Sequence, residues 1–153
     1  MKKVNFTKVY SYLAQTAFFL VLATVIKNLA MYALNNNLLK SNMVFELFLV
    51  RNRGAAFSIL STYTDILIVL SIIVLCSLLF YVIKHSTKLG HGTITTFSIL
   101  TGGIIGNLYE RIMDGFVTDY IKLNFIDFPV FNTSDILITI GAIGLIIALY
   151  KNK

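Results

Sequence analysis

Ile66-Leu-Ile-Val-Leu-Ser-Ile-Ile-Val-Leu-Cys-Ser-Leu-Leu-Phe-Tyr-Val-Ile83 is eighteen residues without a charge, and Val9–Ile26 is a second uncharged run of the same length. Each approaches the roughly 20 residues that a helix needs to cross about 30 Å of hydrocarbon. Gly92–Tyr109 is also uncharged, although Thr, Ser and Gly dilute its apolar character. Ile136–Tyr150 is a shorter apolar run, which needs Phe131–Ser134 or a thin bilayer to complete a crossing. The first run ends in Thr24-Val-Ile-Lys27 with no small-x-small cleavage site, and further spans follow, so it reads as a retained helix.

Composition agrees. The 153 residues are 57% hydrophobic and 13% charged, with mean hydropathy +0.80, whereas soluble domains carry about a quarter charged residues. A soluble core of this size has no room for so much apolar surface, but a bilayer has. The expectation is one membrane-embedded domain, residues 1–153, of all-α class with four transmembrane helices.

Charge placement orients the bundle. Lys2, Lys3, Lys8, Lys84, Lys88, Lys151 and Lys153 fall on the two tails and the 84–91 loop. All seven acids fall on the other side, together with six basic residues. Short basic segments beside the membrane favour the cytoplasm for both termini. The acid-bearing loops 27–65 and 110–135 then face outward. The basic balance is thus topological, and no clustered arginine or RNA-type motif points to nucleic acid.

The first outer loop is richer in β-formers than a linker. Met43-Val-Phe-Glu-Leu-Phe-Leu-Val50 reads as strand, Arg51-Asn-Arg-Gly54 as a turn, and Ala55–Leu60 is apolar again. This predicts a small extracytoplasmic β-element between spans 1 and 2, with its backbone paired where it touches lipid. Cys76 is alone inside the second run, where a small buried hydrophobe is expected. His85 and His91 lie in the 84–91 loop without acidic or Cys companions, as solvated residues rather than metal ligands.

Polar residues near the outer ends of the last two spans are the candidates for chemistry. Gly103, Gly106, Asn107, Glu110 and Arg111 line one face of a helix. The glycines have a packing explanation, since Gly102-x-x-x-Gly106 permits close helix contact. Arg111 either snorkels to the interface or anchors a carbonyl, phosphate or carboxylate with its forked donors. Asp119 lies in Gly115-Phe-Val-Thr-Asp-Tyr-Ile121, and Asp135 closes Phe131-Asn-Thr-Ser-Asp135, sixteen residues on. Separately, an interfacial loop acid and a helix cap account for them. Taken with Asn132 and Arg111, they suggest a carboxylate pair that shares a proton, one member acting as base on a water and the other as acid on a carbonyl oxygen.

At these residues the chain resembles the bacterial lipoprotein signal peptidase (signal peptidase II) family. The pattern is carried by Arg51-Asn-Arg-Gly-Ala-Ala-Phe-Ser58, Gly102-Gly-Ile-Ile-Gly-Asn107 with Arg111, Val117-Thr-Asp-Tyr-Ile121 and Phe131-Asn-Thr-Ser-Asp135, in the family's order and spacing. The resemblance implies an intramembrane aspartyl endopeptidase that removes signal peptides from diacylglyceryl-modified prolipoproteins, cutting before the lipidated Cys. It implies Asp119 and Asp135 as catalytic, with Asn52, Asn107, Arg111 and Asn132 shaping the site or contacting substrate. It further implies no metal or cofactor, prolipoproteins and membrane lipids as partners, a monomer, and a bacterial inner membrane with the site at its outer face.

Two departures stand out. The family usually has Asp-Gln-x-x-Lys late in the first span, where this chain reads Ala23-Thr-Val-Ile-Lys27. Its third-span block usually ends Asn-x-x-Asp-Arg, here Asn107-Leu-Tyr-Glu-Arg111. Neither touches the dyad, but both bear on substrate affinity, and a divergent paralogue with altered substrate is one alternative. A small four-span transporter is another, although no acid interrupts the middle of any run. A serine peptidase fits less well, because there is no G-x-S-x-G elbow and neither Ser58 nor Ser134 has an evident His or Lys in support.

Overall fold

The computed structural model describes residues 4–38, 43–54 and 64–151. The described elements are, in chain order, α1 (Phe6–Asn35), β1 (Phe45–Asn52), α2 (Thr64–His85), α3 (His91–Asp114), β2 (Val117–Leu123) and α4 (Thr133–Lys151). All four apolar runs are therefore helical. Of these helices, α1 and α2 have the length and apolar character to cross a membrane, and Thr133–Ala148 is a shorter apolar helix.

α1 overshoots the predicted run. Lys27 stays within the helix because its ammonium meets the Glu110 carboxylate at 3.1 Å. The following Leu29, Ala30, Met31, Ala33 and Leu34 are good helix formers. Termination comes at Asn36 and Asn37, the latter with φ 52°, a left-handed conformation that Asn tolerates.

α3 is the helix around which the others pack. Five of the Thr, Ser and Gly residues that weaken it as a predicted span are buried: Thr93, Ser98, Thr101, Gly102 and Gly103. Tyr12 of α1 hydrogen-bonds Thr101 Oγ1 at 2.8 Å and its carbonyl accepts from Ser98 Oγ at 3.2 Å. A methyl on Gly103 would sit 2.6 Å from the Ser134 carbonyl of α4. A methyl on Gly141 would sit 2.5 Å from the Leu100 amide nitrogen of α3. These glycines let two backbones touch, as bilayer-embedded helices do when small residues line the contact.

α2 is the opposite case. Val82 is its only fully buried residue, while Ile72, Ile73 and Phe80 face out of the bundle. Cys76 faces out as well, contrary to the buried position expected from sequence. An apolar side chain surrounded by lipid needs no protein cover, so apolarity alone does not locate the protein interior here. His85 also differs from expectation. It closes α2, stacks on Tyr81 with ring centroids 4.3 Å apart, and its Nδ1 lies 3.0 Å from the Tyr81 carbonyl.

Contacts fix the helix directions. The Asn5 amide donates to Ser86 Oγ at 2.9 Å and Lys8 Nζ to the Leu89 carbonyl at 2.5 Å, which brings the start of α1 to the α2–α3 turn. Lys8, Lys84 and Lys88 lie at this end. β1, β2 and the acid-bearing segments lie at the other.

The β-element also differs in its pairing. β1 has a distant strand as its described partner, and Ala55–Leu60 lie outside the described residues. It pairs antiparallel with β2, from Phe45 opposite Leu123 to Asn52 opposite Val117, with a bulge between Leu47 and Val50. Arg51 and Asn52, predicted as turn, are the last two residues of β1.

Gly141→Ala should therefore destabilise the protein by about 1–3 kcal/mol, because neither backbone can yield. Gly92→Ala, which meets nothing within 4 Å, should be neutral or slightly stabilising. Thermal unfolding of both variants in detergent checks this contrast.

Candidate functional site

Two β-sheet residues, two α3 residues and the first turn of α4 converge at the acid-bearing end. The chain between the two aspartates is folded back by β-bridging. The amides of Tyr120 and Ile121 both donate to the Phe131 carbonyl, at 3.0 and 2.8 Å, and the Phe131 amide returns a bond to Ile121 at 3.0 Å. This bridge sets the residue that follows Phe131 beside the residue that precedes Tyr120.

That residue, Asn132, caps α4. Its Oδ1 accepts the Asp135 amide at 3.0 Å, and Asp135 Oδ2 accepts the Asn132 amide at 3.1 Å. The two bonds form a reciprocal capping box across the first helical turn. The capping expectation for Asp135 is thus met, but only one of its oxygens is used in this way. The other, Oδ1, accepts from Asn107 Nδ2 at 2.7 Å.

Asn132 also holds the second aspartate. Its Nδ2 donates to Asp119 Oδ1 at 2.7 Å and to Asn107 Oδ1 at 3.2 Å. Asp119 Oδ2 is met from the far side by Asn52 Nδ2 at 2.9 Å. Asn52 Oδ1 accepts the Gly54 amide at 2.9 Å, and the Gly54 carbonyl accepts Arg111 Nη2 at 2.9 Å. Arg111 accordingly turns into the bundle instead of snorkelling. Its Nη1 reaches the Asn107 carbonyl at 3.4 Å, while its buried Nε has no partner among the described residues.

All six candidate residues, Asn52, Asn107, Arg111, Asp119, Asn132 and Asp135, are therefore in one hydrogen-bonded cluster. Asn107 and Arg111 are one helical turn apart on α3, and Asp119 follows Thr118 on β2. Asp119 is 2% exposed. Burial pushes its carboxyl from 3.8 up to about 6; the Asn52 and Asn132 donors oppose the rise, and the charges of Asp135 and Glu110 add to it.

A cavity of about 450 Å³ opens on the cluster. Asn52, Asn107, Arg111, Asp119 and Asp135 form its polar end, and Phe128, Phe131, Ile136 and Ile140 line the rest. A hydrogen-bonded carboxylate pair beside a guanidinium at the head of an apolar groove can bind a carbonyl and activate water beside it.

Sequence reasoning missed the supports. Tyr120, buried at 1% exposure, hydrogen-bonds Thr133 Oγ1 and accepts the Thr133 amide at 3.3 Å, tying β2 to α4. Glu110 and Lys27 are joined at 3.1 Å, and Glu110 Oε2 also accepts the Thr118 amide at 2.8 Å. Ala23 and Glu110, the two departures from the family pattern, line one small cavity of about 50 Å³ with Lys27. Helical spacing had placed Glu110 on one face with Asn107, and Tyr120 lay inside the Val117–Ile121 block, but neither signal showed these partners.

Comparison with known proteins bears on this cluster. The family profile described as Signal peptidase (SPase) II matches residues 15–151. The lipoprotein signal peptidase of Streptococcus thermophilus (strain CNRZ 1066) is 39% identical over 110 residues, covering 72% of this chain and 71% of that one. That of Halothermothrix orenii is 41% identical over 111 residues, covering 72% and 73%. A solved structure described as a bacterial membrane enzyme structure by the in meso method at 2.3 Å resolution superposes with a TM-score of 0.80, at 30% identity, over 99% of this chain and 93% of that one. A second such structure, at 1.9 Å resolution, gives a TM-score of 0.78 at 29% identity over 100% and 99%.

The raised Asp119 carboxyl has a consequence for stability. The folded state holds this proton more tightly than the unfolded chain, so the contribution is fully present below about 4 and is lost as pH rises through about 6. Melting temperatures in detergent should show the native protein losing on the order of 2–3 kcal/mol relative to Asp119→Asn across that window.

Proposed function

The chain belongs to the signal peptidase II family, and from that premise we propose that it is an intramembrane aspartyl endopeptidase. Its substrates in this reading are diacylglyceryl-modified prolipoproteins, cut before the lipidated Cys. The observation that carries the proposal is the joining of Asp119 and Asp135 through one Asn132 side chain and its own backbone amide. The pair stands at the polar head of a groove otherwise lined by Phe and Ile. Acyl chains suit that apolar wall, and a peptide carbonyl suits its polar end.

In the proposed reaction a water sits between the carboxyls. One carboxylate takes its proton as it attacks the scissile carbonyl carbon, and the other gives a proton to the carbonyl oxygen. The tetrahedral diol then collapses, with a proton passing to the leaving amine. Asp119, raised to about 6, is the member that carries the shared proton, so kcat/KM of the free enzyme falls as pH rises through that region. Arg111, which lines the groove beside the carboxylates, is the donor for a substrate carbonyl. Asn52, Asn107 and Asn132 hold the carboxylates in register.

The same reading has all four helices crossing the bacterial inner membrane, with both termini in the cytoplasm and the dyad at the outer face. The lysines gathered where α1 begins and α2 ends support that orientation. A reporter fused after Lys153 or inserted near Lys88 should report cytoplasm, and one near Lys40 the exterior. An external C-terminus would mean an odd number of crossings and would end the four-span reading.

Asp119→Asn and Asp135→Asn test the chemistry. Each single change should abolish cleavage of a lipidated prolipoprotein peptide by purified protein. The double variant should be little worse, because groups acting on one water are far from additive. A single variant with substantial turnover at matched protein level would remove its residue from the catalytic set.

A further inference from the structure

We infer that Glu110 is a positioning residue for the dyad: its carboxylate takes the peptide N–H next to Asp119, and Lys27 of α1 holds that carboxylate in place. The inference rests on the aspartyl reading of the site and adds a residue to it that touches neither carboxylate.

Glu110 is 6% exposed, and a carboxylate that buried needs a partner at each oxygen. It has them. Oε1 accepts from Lys27 Nζ at 3.1 Å and Oε2 from the Thr118 amide at 2.8 Å. Thr118 lies opposite Arg51 in the ladder, one residue from the Val50–Asp119 pair. β2 is thus held by β1 along one edge, by the Phe131 bridge further along, and by Glu110 at the amide of Thr118, the residue before Asp119. Without this last contact the Thr118 amide loses its acceptor, and the backbone that carries Asp119 loses its tie to α3.

The ion pair keeps Glu110 where it is. Residue 23, one turn before Lys27, is Ala and offers that ammonium no second acid. Lys27 and Glu110 form one of two ion pairs among the described residues; the other, Lys122–Glu46, lies along the sheet. Glu110 therefore joins α1, α3 and β2 through one side chain.

Its charge also reaches the dyad. The ionisable groups facing Asp119 are Asp135 from α4, and Glu110 and Arg111 from α3, with Lys27 of α1 behind Glu110. Glu110 raises the Asp119 carboxyl. Removing its charge lets that proton leave at lower pH.

Three variants separate the parts: Glu110→Gln keeps an acceptor for Thr118 and loses the charge, Glu110→Met loses both, and Lys27→Met with Glu110→Gln leaves no buried charge unpaired. With purified protein and a lipidated prolipoprotein peptide, Glu110→Met should lose about 100-fold in kcat with KM little changed, the size of effect that a small misplacement of a reacting group produces. Glu110→Gln and the double variant should each keep most of kcat, and in Glu110→Gln the alkaline limb of the pH profile should move to lower pH. Melting temperatures identify any variant that has simply failed to fold, and the double variant keeps the inference open to test if Glu110→Met does not fold. A Glu110→Met enzyme with native kcat would overturn the inference. So would a Glu110→Gln profile that superimposes on the native one, or a loss of about 100-fold in Glu110→Gln or in the double variant. Asp119→Asn is assayed alongside: if it retains turnover, the aspartyl reading fails instead, whatever Glu110 does.

Discussion

A buried carboxylate is stable only where donors meet it, and at this site one residue meets two, by its side chain and its backbone N–H. Asn132 gives its amide hydrogens to Asp119 and Asn107, its amide oxygen to the Asp135 N–H, and its backbone N–H to the Asp135 carboxylate. Removing any of three elements breaks the arrangement. α4 must begin immediately after Asn132, β2 must bring Asp119 to within hydrogen-bond reach, and α3 must present Asn107 between them. An unpaired polar group at this depth costs more than a typical hydrogen bond contributes, so satisfying the amide selects the relative position of all three.

The closeness of α3 and α4 is what makes that position possible. Gly103, Gly106 and Gly141 remove the side chains that would hold the two backbones apart; the nearest α4 or α3 atoms to an added methyl at Gly103 and Gly141 are backbone. The contact runs from the site at one end to Gly144 beside Thr96 towards the other. Packing, rather than hydrophobic exclusion, holds such helices together in lipid. A spacing error between them would appear directly as a longer Asn107–Asp135 bond. The small residues that dilute α3 as an apolar run are thus the residues that let it organise the site.

The helices were legible because each long apolar run has one physical meaning in a bilayer, and the two neighbouring carboxylates stood out because acids are rare beside such runs. The β-pairing was not. β1 and β2 are separated by two whole helices, and no local signal says which distant strand will pair with Phe45–Asn52. Asp119 had a defensible reading as a loop acid until that pairing placed Asn52 against it. Burial was hidden as well, because Cys76 outside the bundle and Ile94 inside it are equally apolar. Glu110 was visible on the polar face of α3 and as a departure from a pattern, but its role was not. Its two partners come from α1 and β2, which sequence spacing cannot bring together.

The site lies where the physics permits a carboxylate pair, at the ends of helices rather than at their middles. In mid-helix every peptide N–H is already bonded within the helix, and an acid there has only other side chains to meet it. The first turn of a helix leaves N–H groups without intrahelical partners, and Asp135 uses one of them. A strand edge does the same, and Glu110 takes the Thr118 amide there. The proposed hydrolysis adds a second requirement, since in that reaction water must reach the carboxylates while apolar substrate chains remain in lipid. The end of the bundle meets both conditions. The polar cluster sits beside the sheet, and the groove continues from it along the first two turns of α4 through Ile136 and Ile140. A carboxylate pair moved two turns further down α4 would keep the apolar wall and lose both the backbone donors and the water.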